Sequence, residues 1–128
     1  MEDKLIELIK SSIKAKENSY SPYSKFKVGA SILTENGNIF SGANVECASY
    51  SLTICAERVA AVKAISSGES GFKYLAVATD KKQIAFPCGA CLQFLNEFSS
   101  SLKVILVKSV NNYKIFDLKE LLPKIFKL

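Results

Sequence analysis

The sequence predicts an α/β fold, a three-layer α/β/α sandwich on a mixed five-stranded sheet whose last two strands are antiparallel. Three observations lead there. Apolar residues recur at helical spacing near the N-terminus and from Ile54 to Ile65, and short apolar or alternating runs separate the helical stretches. Some of the gaps between runs are too short for anything but a hairpin.

Leu5, Ile6, Ile9 and Ile13 recur between charged residues, which predicts an amphipathic helix over residues 3–15. Pro22 closes the polar loop after it. Phe26, Val28, Ala30 and Ile32 alternate with polar or smaller residues, Asn36-Gly37 supplies a tight turn, and Ile39 to Val45 forms the returning strand. The stretch from Ile54 to Ile65 predicts an almost wholly apolar helix, buried on most sides and ended at Ser66-Ser67-Gly68.

Residues 73–80 predict a third strand, and Pro87 opens a helix that runs to Phe98. The run at 103–108 is a short apolar strand of the kind found inside a sheet, and Tyr113 to Leu118 follows after only Ser109 to Asn112. A connection that short permits a hairpin and no crossover. A short helix closes the chain, and with no repeat or linker in sight residues 1–128 are expected to form one domain.

A chain of 128 residues that is 48% hydrophobic has enough apolar material for one core. It has no histidine, so imidazole cannot serve as base, triad member or metal ligand, and proton transfer at neutral pH falls to a carboxylate, a thiol or a metal-bound water. The net charge of +5 comes from sixteen lysines and one arginine, Arg58. Base-edge and phosphate readers favour the arginine fork, and the lysines are scattered, so no nucleic-acid partner is expected. The first fifteen residues are unlike an export signal, and no apolar run reaches the roughly 18 residues of a membrane span. A cytoplasmic protein is therefore expected, with its four cysteines as thiols for metal or catalysis rather than disulfides.

Cys88-Gly89-Ala90-Cys91 falls in the first turn of a predicted helix, where positions three apart share a face and free amides favour negative charge. Two thiolates there could grip zinc; a redox pair, or two small buried hydrophobes, would fit the same spacing. Cys55-Ala56-Glu57-Arg58 opens the other apolar helix. Glu57 is flanked on its helical wheel by Ile54, Ala60, Ala61 and Ala64, with no cation three or four positions away. Such a carboxylate calls for a raised pKa, a role at a metal site, or a partner distant in sequence. Arg58 follows Cys55 by three residues, where it could offset the excess charge of three thiolates on one zinc ion or make an ordinary ion pair.

A cysteine two residues before a glutamate, followed later by Pro-Cys-x-x-Cys, is the pattern of the zinc deaminases. More closely, the chain resembles the small cytidine deaminases that act on free nucleosides, from SPYSKFKVGA at 21–30 through GANVECASYSLTICAER and PCGACLQFL to LLPKIF at 121–126. The resemblance implies a cytidine deaminase-like fold, with Cys55, Cys88 and Cys91 holding one zinc ion per subunit, water as fourth ligand, and Glu57 as proton shuttle while hydroxide adds to C4 of cytosine. It implies hydrolysis of cytidine and deoxycytidine to uridine and deoxyuridine plus ammonia, as in pyrimidine salvage.

The resemblance also places Asn44 and Glu46 on the ribose hydroxyl, Phe26 against the pyrimidine, and backbone near Ala56 and Cys88 against the base. In such enzymes Ala48, Tyr50 and Phe126 complete the pockets of neighbouring subunits in a homotetramer. Phe26 could equally be core, Asn44 and Glu46 a solvated edge, and Phe126 a cap on its own monomer. Two positions depart from the family pattern: Cys47 stands where asparagine is usual, and Leu92 where arginine often follows the second CxxC cysteine. Cys47 opens an alternative, a non-catalytic scaffold with a closed four-cysteine zinc site. A deaminase of another cytosine-containing substrate is a further alternative.

Overall fold

The computed structural model describes residues 2–80 and 86–128. Helix α1 (Glu2–Ala15) and a single 3-10 turn (Lys16–Asn18) precede the hairpin of β1 (Val28–Thr34) and β2 (Ile39–Ala43). After a second 3-10 turn (Tyr50–Leu52) come α2 (Ala56–Ser66), β3 (Phe72–Thr79), α3 (Gly89–Asn96), β4 (Lys103–Ser109), β5 (Asn112–Asp117) and α4 (Leu118–Leu121). The strands form one sheet in the order β2-β1-β3-β4-β5. Among the strands of the described residues, β3 and β4 alone pair in parallel, joined through α3; β4 and β5 are the antiparallel hairpin that the short gap requires.

Each strand alternates its side chains between two helical layers. On one face Ala30, Ile32, Leu75, Val77, Val104 and Leu106 pack against α2, α3 and α4. On the other, Leu33, Ala76, Ala78, Ile105 and Val107 pack against Leu8 and Ile9 of α1. Helix α2 presents Ala56, Ala60, Ala61 and Ala64 to the sheet, and side chains this small let its backbone approach closely. The helix ends before Gly68, whose φ of 99° is the left-handed conformation expected there.

Several boundaries differ from expectation, for local reasons. The first strand starts at Val28 rather than Phe26, because Asn44 intercepts the backbone: its Oδ1 accepts from Val28 N at 3.0 Å and its Nδ2 donates to Phe26 O at 2.8 Å. Strand β2 stops at Ala43 and helix α2 begins at Ala56, since Val45 and Ile54 exchange backbone hydrogen bonds of 3.0 and 2.9 Å. That bridge keeps Ile54 out of the helix and leaves Cys55 as its N-cap. The inner face of α1 keeps Ile9, with Leu5 and Ile13 partly buried beside it, and adds Leu8, Ser12 and Ala15, while Ile6 is exposed. Nor is α2 buried on most sides, for Val62 and Lys63 face outward.

Candidate active site

The N-termini of α2 and α3 converge on one side of the sheet. Cys55 is the N-cap of α2 and Cys88 the N-cap of α3, where the Cys88 sulfur accepts from Cys91 N at 3.4 Å. The Sγ atoms of Cys55, Cys88 and Cys91 lie within 4.8 Å of one another, and Cys88 and Cys91 are 3.3 Å apart. Sulfurs sharing a tetrahedral zinc at ~2.3 Å per bond sit roughly 3.8 Å apart, so the donor set fits zinc in number, softness and spacing. Cys47 is half-buried and lies outside this group.

The thiols compete for charge. A hydrogen bond from Cys91, reinforced by Arg58, pulls Cys55 down to about 5. The same hydrogen bond, with burial, pushes Cys91 far up. One sulfur therefore ionises at its neighbour's expense, and a dication is the species that lets all three ionise together.

Glu57 sits in the first turn of α2, only 5% exposed, and among the described residues no cation forms an ion pair with it. Burial raises its carboxyl to about 7, with a smaller push from Cys55. That value suits a group that must both take and give a proton near neutrality. Arg58, one residue on, turns its Nη2 to Cys55 Sγ at 3.7 Å, while its buried Nε has no partner among the described residues.

A cavity of about 210 Å³ opens beside these groups. Its wall includes Cys55, Ala56, Glu57 and Cys88 from the helix starts, Val28, Val77 and Thr79 from the sheet, and Phe26, Asn44, Thr53 and Phe86 from the loops. It is mostly apolar with a few convergent polar groups, as small-molecule sites are, and it lies where β3 runs out toward α3.

Comparison with known proteins follows the same lines. The model of the cytidine and deoxycytidylate deaminase zinc-binding region matches residues 2–108. The chain belongs to this deaminase family. It is 46% identical over 120 residues to a cytidine deaminase of Sporosarcina psychrophila, covering 93% of this chain and 88% of that one. A probable cytidine deaminase of Dictyostelium discoideum is 42% identical over 126 residues, 98% of this chain and 85% of the relative. Among solved structures, the cytidine deaminase of Burkholderia pseudomallei superposes with a TM-score of 0.88 at 39% identity, covering 94% of this chain and 97% of that one.

Within this deaminase fold, the cavity gathers Phe26, Asn44, Cys55, Ala56, Glu57 and Cys88 from the residues that the sequence singles out. Cys91 and Arg58 stand behind the wall, joined to it through sulfur. Glu46 is outside the wall: its Oε1 accepts from Tyr23 N at 3.0 Å and Ser24 N at 3.1 Å, and its Oε2 from Ser24 Oγ. The Ser24 hydroxyl, with these amides, holds the Glu46 carboxyl below the usual range. Ala48, Tyr50 and Phe126 are exposed and do not line the cavity, with Tyr50 68% and Phe126 72% accessible. Thr53, Thr79 and Phe86 also line the cavity, beyond the residues that the sequence singles out. Phe86 had a signal, since it directly precedes Pro87-Cys88; Thr53 and Thr79 had none, because only the Val45–Ile54 bridge and the β1–β3 register bring them there.

Proposed function

We propose that residues 1–128 form a single zinc-dependent deaminase domain that hydrolyses cytidine and deoxycytidine to uridine and deoxyuridine, releasing ammonia. The observation that carries this reading is the juxtaposition of three thiols at two helix N-termini with the buried carboxyl of Glu57 in the wall of the same cavity. Cys55, Cys88 and Cys91 would hold the zinc. When bound, such an ion lowers the pKa of a coordinated water from ~15.7 to ~7 and so supplies hydroxide at neutral pH.

Glu57 carries the protons. Its carboxylate accepts one from the attacking water and passes it to ring N3, then takes the proton of the new C4 hydroxyl and gives it to the amine as the C4–N bond breaks and the C4 carbonyl forms, so that water and cytidine become uridine and ammonia. Burial raises its pKa from the ordinary carboxyl value, which favours the protonated form that a proton carrier must be able to adopt. Phe26 covers the pyrimidine, and backbone at Ala56 and Cys88 meets its polar edge. Asn44 gives one amide hydrogen to Phe26 O and has a second for a ribose hydroxyl. The Glu46 oxygens accept three hydrogen bonds and keep capacity for one more, which suits the same sugar.

The assembly in this reading is a homotetramer in which Ala48, Tyr50 and Phe126 complete neighbouring pockets. Val45 and Ile54, bridged to each other, and Tyr50 and Leu52 of the 3-10 turn between them leave four large apolar side chains exposed on one loop, and a grouped apolar surface of that kind supports an interface there. Among the described residues no helix is long and apolar enough to cross a membrane, and work in cytoplasmic pyrimidine salvage is part of the same proposal. The test measures zinc content and cytidine-to-uridine conversion on one sample. Zinc near one equivalent with conversion is expected, and a Glu57→Gln variant should keep the metal and lose turnover about a thousandfold. Stoichiometric zinc with cytidine's absorbance unchanged would overturn the proposal.

A further inference from the structure

The C-terminal segment returns across α3, where one side chain meets it at two points. Gln93 Nε2 donates to Phe126 O at 3.0 Å, and Phe126 N donates to Gln93 Oε1 at 3.1 Å. The carboxamide thus satisfies both polar atoms of one backbone residue, as an adjacent strand would. The flipped amide would set oxygen against oxygen and N–H against N–H, so the pairing fixes its orientation.

Gln93 is half-buried two positions after Cys91, about 200° round the helix, so α3 turns one face to the thiols and another to the tail. The chain beyond α4 has no regular structure. A terminal segment of that kind ordinarily frays unless it is tied down. Here the backbone of Phe126 is tied while its ring stays in the open, which is the arrangement of a side chain held out for another surface.

We propose that Gln93 is a positioning residue whose carboxamide clamps the Phe126 backbone and so presents the Phe126 ring to the pocket of a second copy of this chain. The clamp stands on the two hydrogen bonds; its effect on turnover rests on the reading above, in which Phe126 completes a neighbouring pocket. Gln93→Met keeps the length and packing of the side chain and removes both hydrogen bonds, which makes it the informative variant.

The experiment uses the full-length zinc-loaded protein and compares Gln93→Met, Phe126→Ala and the double variant. It reads KM and kcat for cytidine, zinc content, native mass and amide exchange in residues 124–128. Gln93→Met should raise KM about fivefold, the scale of one or two lost hydrogen bonds. Its kcat should stay within about twofold, zinc should be retained, and exchange at Phe126 should speed up. The double variant should be no worse than Phe126→Ala, because both act through one ring. A normal KM in Gln93→Met beside a raised KM in Phe126→Ala, or effects that multiply, overturns the proposal. Unchanged exchange at Phe126 overturns the clamp itself. If Phe126→Ala leaves KM unchanged while exchange accelerates in Gln93→Met, the clamp stands and the shared-pocket reading falls.

Discussion

Arg58 Nη2 lies 3.7 Å from Cys55 Sγ, so the chain's only arginine is held against a thiolate at the centre of the candidate site. The contact raises the pKa of Arg58 and helps to lower that of Cys55, behind the larger effect of Cys91. Three thiolates around a dication leave one formal negative charge, which opposes the acidification of a bound water. Leu92 is buried in the core between α3 and the sheet and supplies no second cation. Arg58→Gln should therefore keep zinc at one equivalent and lower kcat by about tenfold or more, the usual scale for a group supporting a metal ligand. Arg58→Lys should recover part of the loss, since it restores charge without the guanidinium fork. Metal analysis beside steady-state kinetics reads both variants.

Glu46 gives the loop at residues 20–24 a pH-dependent anchor. Ser24 and the two loop amides favour the ionised carboxylate, so its pKa is lower folded than unfolded. A group of that sign adds stability above its unfolded pKa of about 4.3 and loses it as the pH falls through the lower folded value. The wild type should be more stable than Glu46→Gln at pH 7, and the gap should close as the pH drops below about 4. Thermal unfolding midpoints of both proteins across that range check it; a gap that is constant with pH would show that the carboxylate charge contributes nothing.

The parts of the fold legible in the sequence are those governed by periodicity. The apolar run at 103–108 and its four-residue separation from Tyr113 admit one pairing, and β4 and β5 adopt it. The thiols and Glu57 were legible because chemistry at a helix start constrains both residue type and spacing. What the sequence hid depends on side chains that replace backbone partners. Asn44 takes Val28 N and Phe26 O, which shortens β1 and takes Phe26 out of the sheet. The inner face of α1 includes Ser12, a polar residue that no apolar count selects; its hydroxyl donates to Ile9 O at 2.7 Å. Gln93 carries no pattern at all until the C-terminal segment is seen beside it.

Gly29 sets how closely α1 rides on β1. A Cβ there would lie 2.1 Å from Ser12 O and 2.6 Å from Lys16 N, both backbone atoms that cannot step aside singly. The Gly29→Ala substitution must push the end of α1 away from the sheet, loosening Leu8 and Ile9 against Ala76, Ala78 and Ile105. Overpacking of this kind costs about 1–3 kcal/mol, and here the upper end is expected because backbone meets backbone. Urea unfolding should show a lower midpoint with an unchanged slope. The thiols and Glu57 belong to the opposite layer, so zinc content should be unaffected in the fraction that folds.

Cys47 decides between an open and a closed metal centre. A closed site needs four thiolates around one ion, with sulfurs roughly 3.8 Å apart, and leaves no position for water. The group within 4.8 Å contains Cys55, Cys88 and Cys91 and omits Cys47. The backbone N of Cys47 donates to Thr53 Oγ1 at 3.1 Å, a bond that substitution of the side chain leaves in place. Cys47→Ser should therefore retain one zinc and an unfolding free energy within about 0.5 kcal/mol of the wild type, as a half-buried residue without a structural role would. Cys55→Ser and Cys88→Ser should bind zinc far more weakly, because a hydroxyl does not ionise to replace a thiolate. If Cys47→Ser instead released the metal and unfolded, all four thiols would be ligands, water would have no place on the ion, and hydrolysis at this centre would be ruled out.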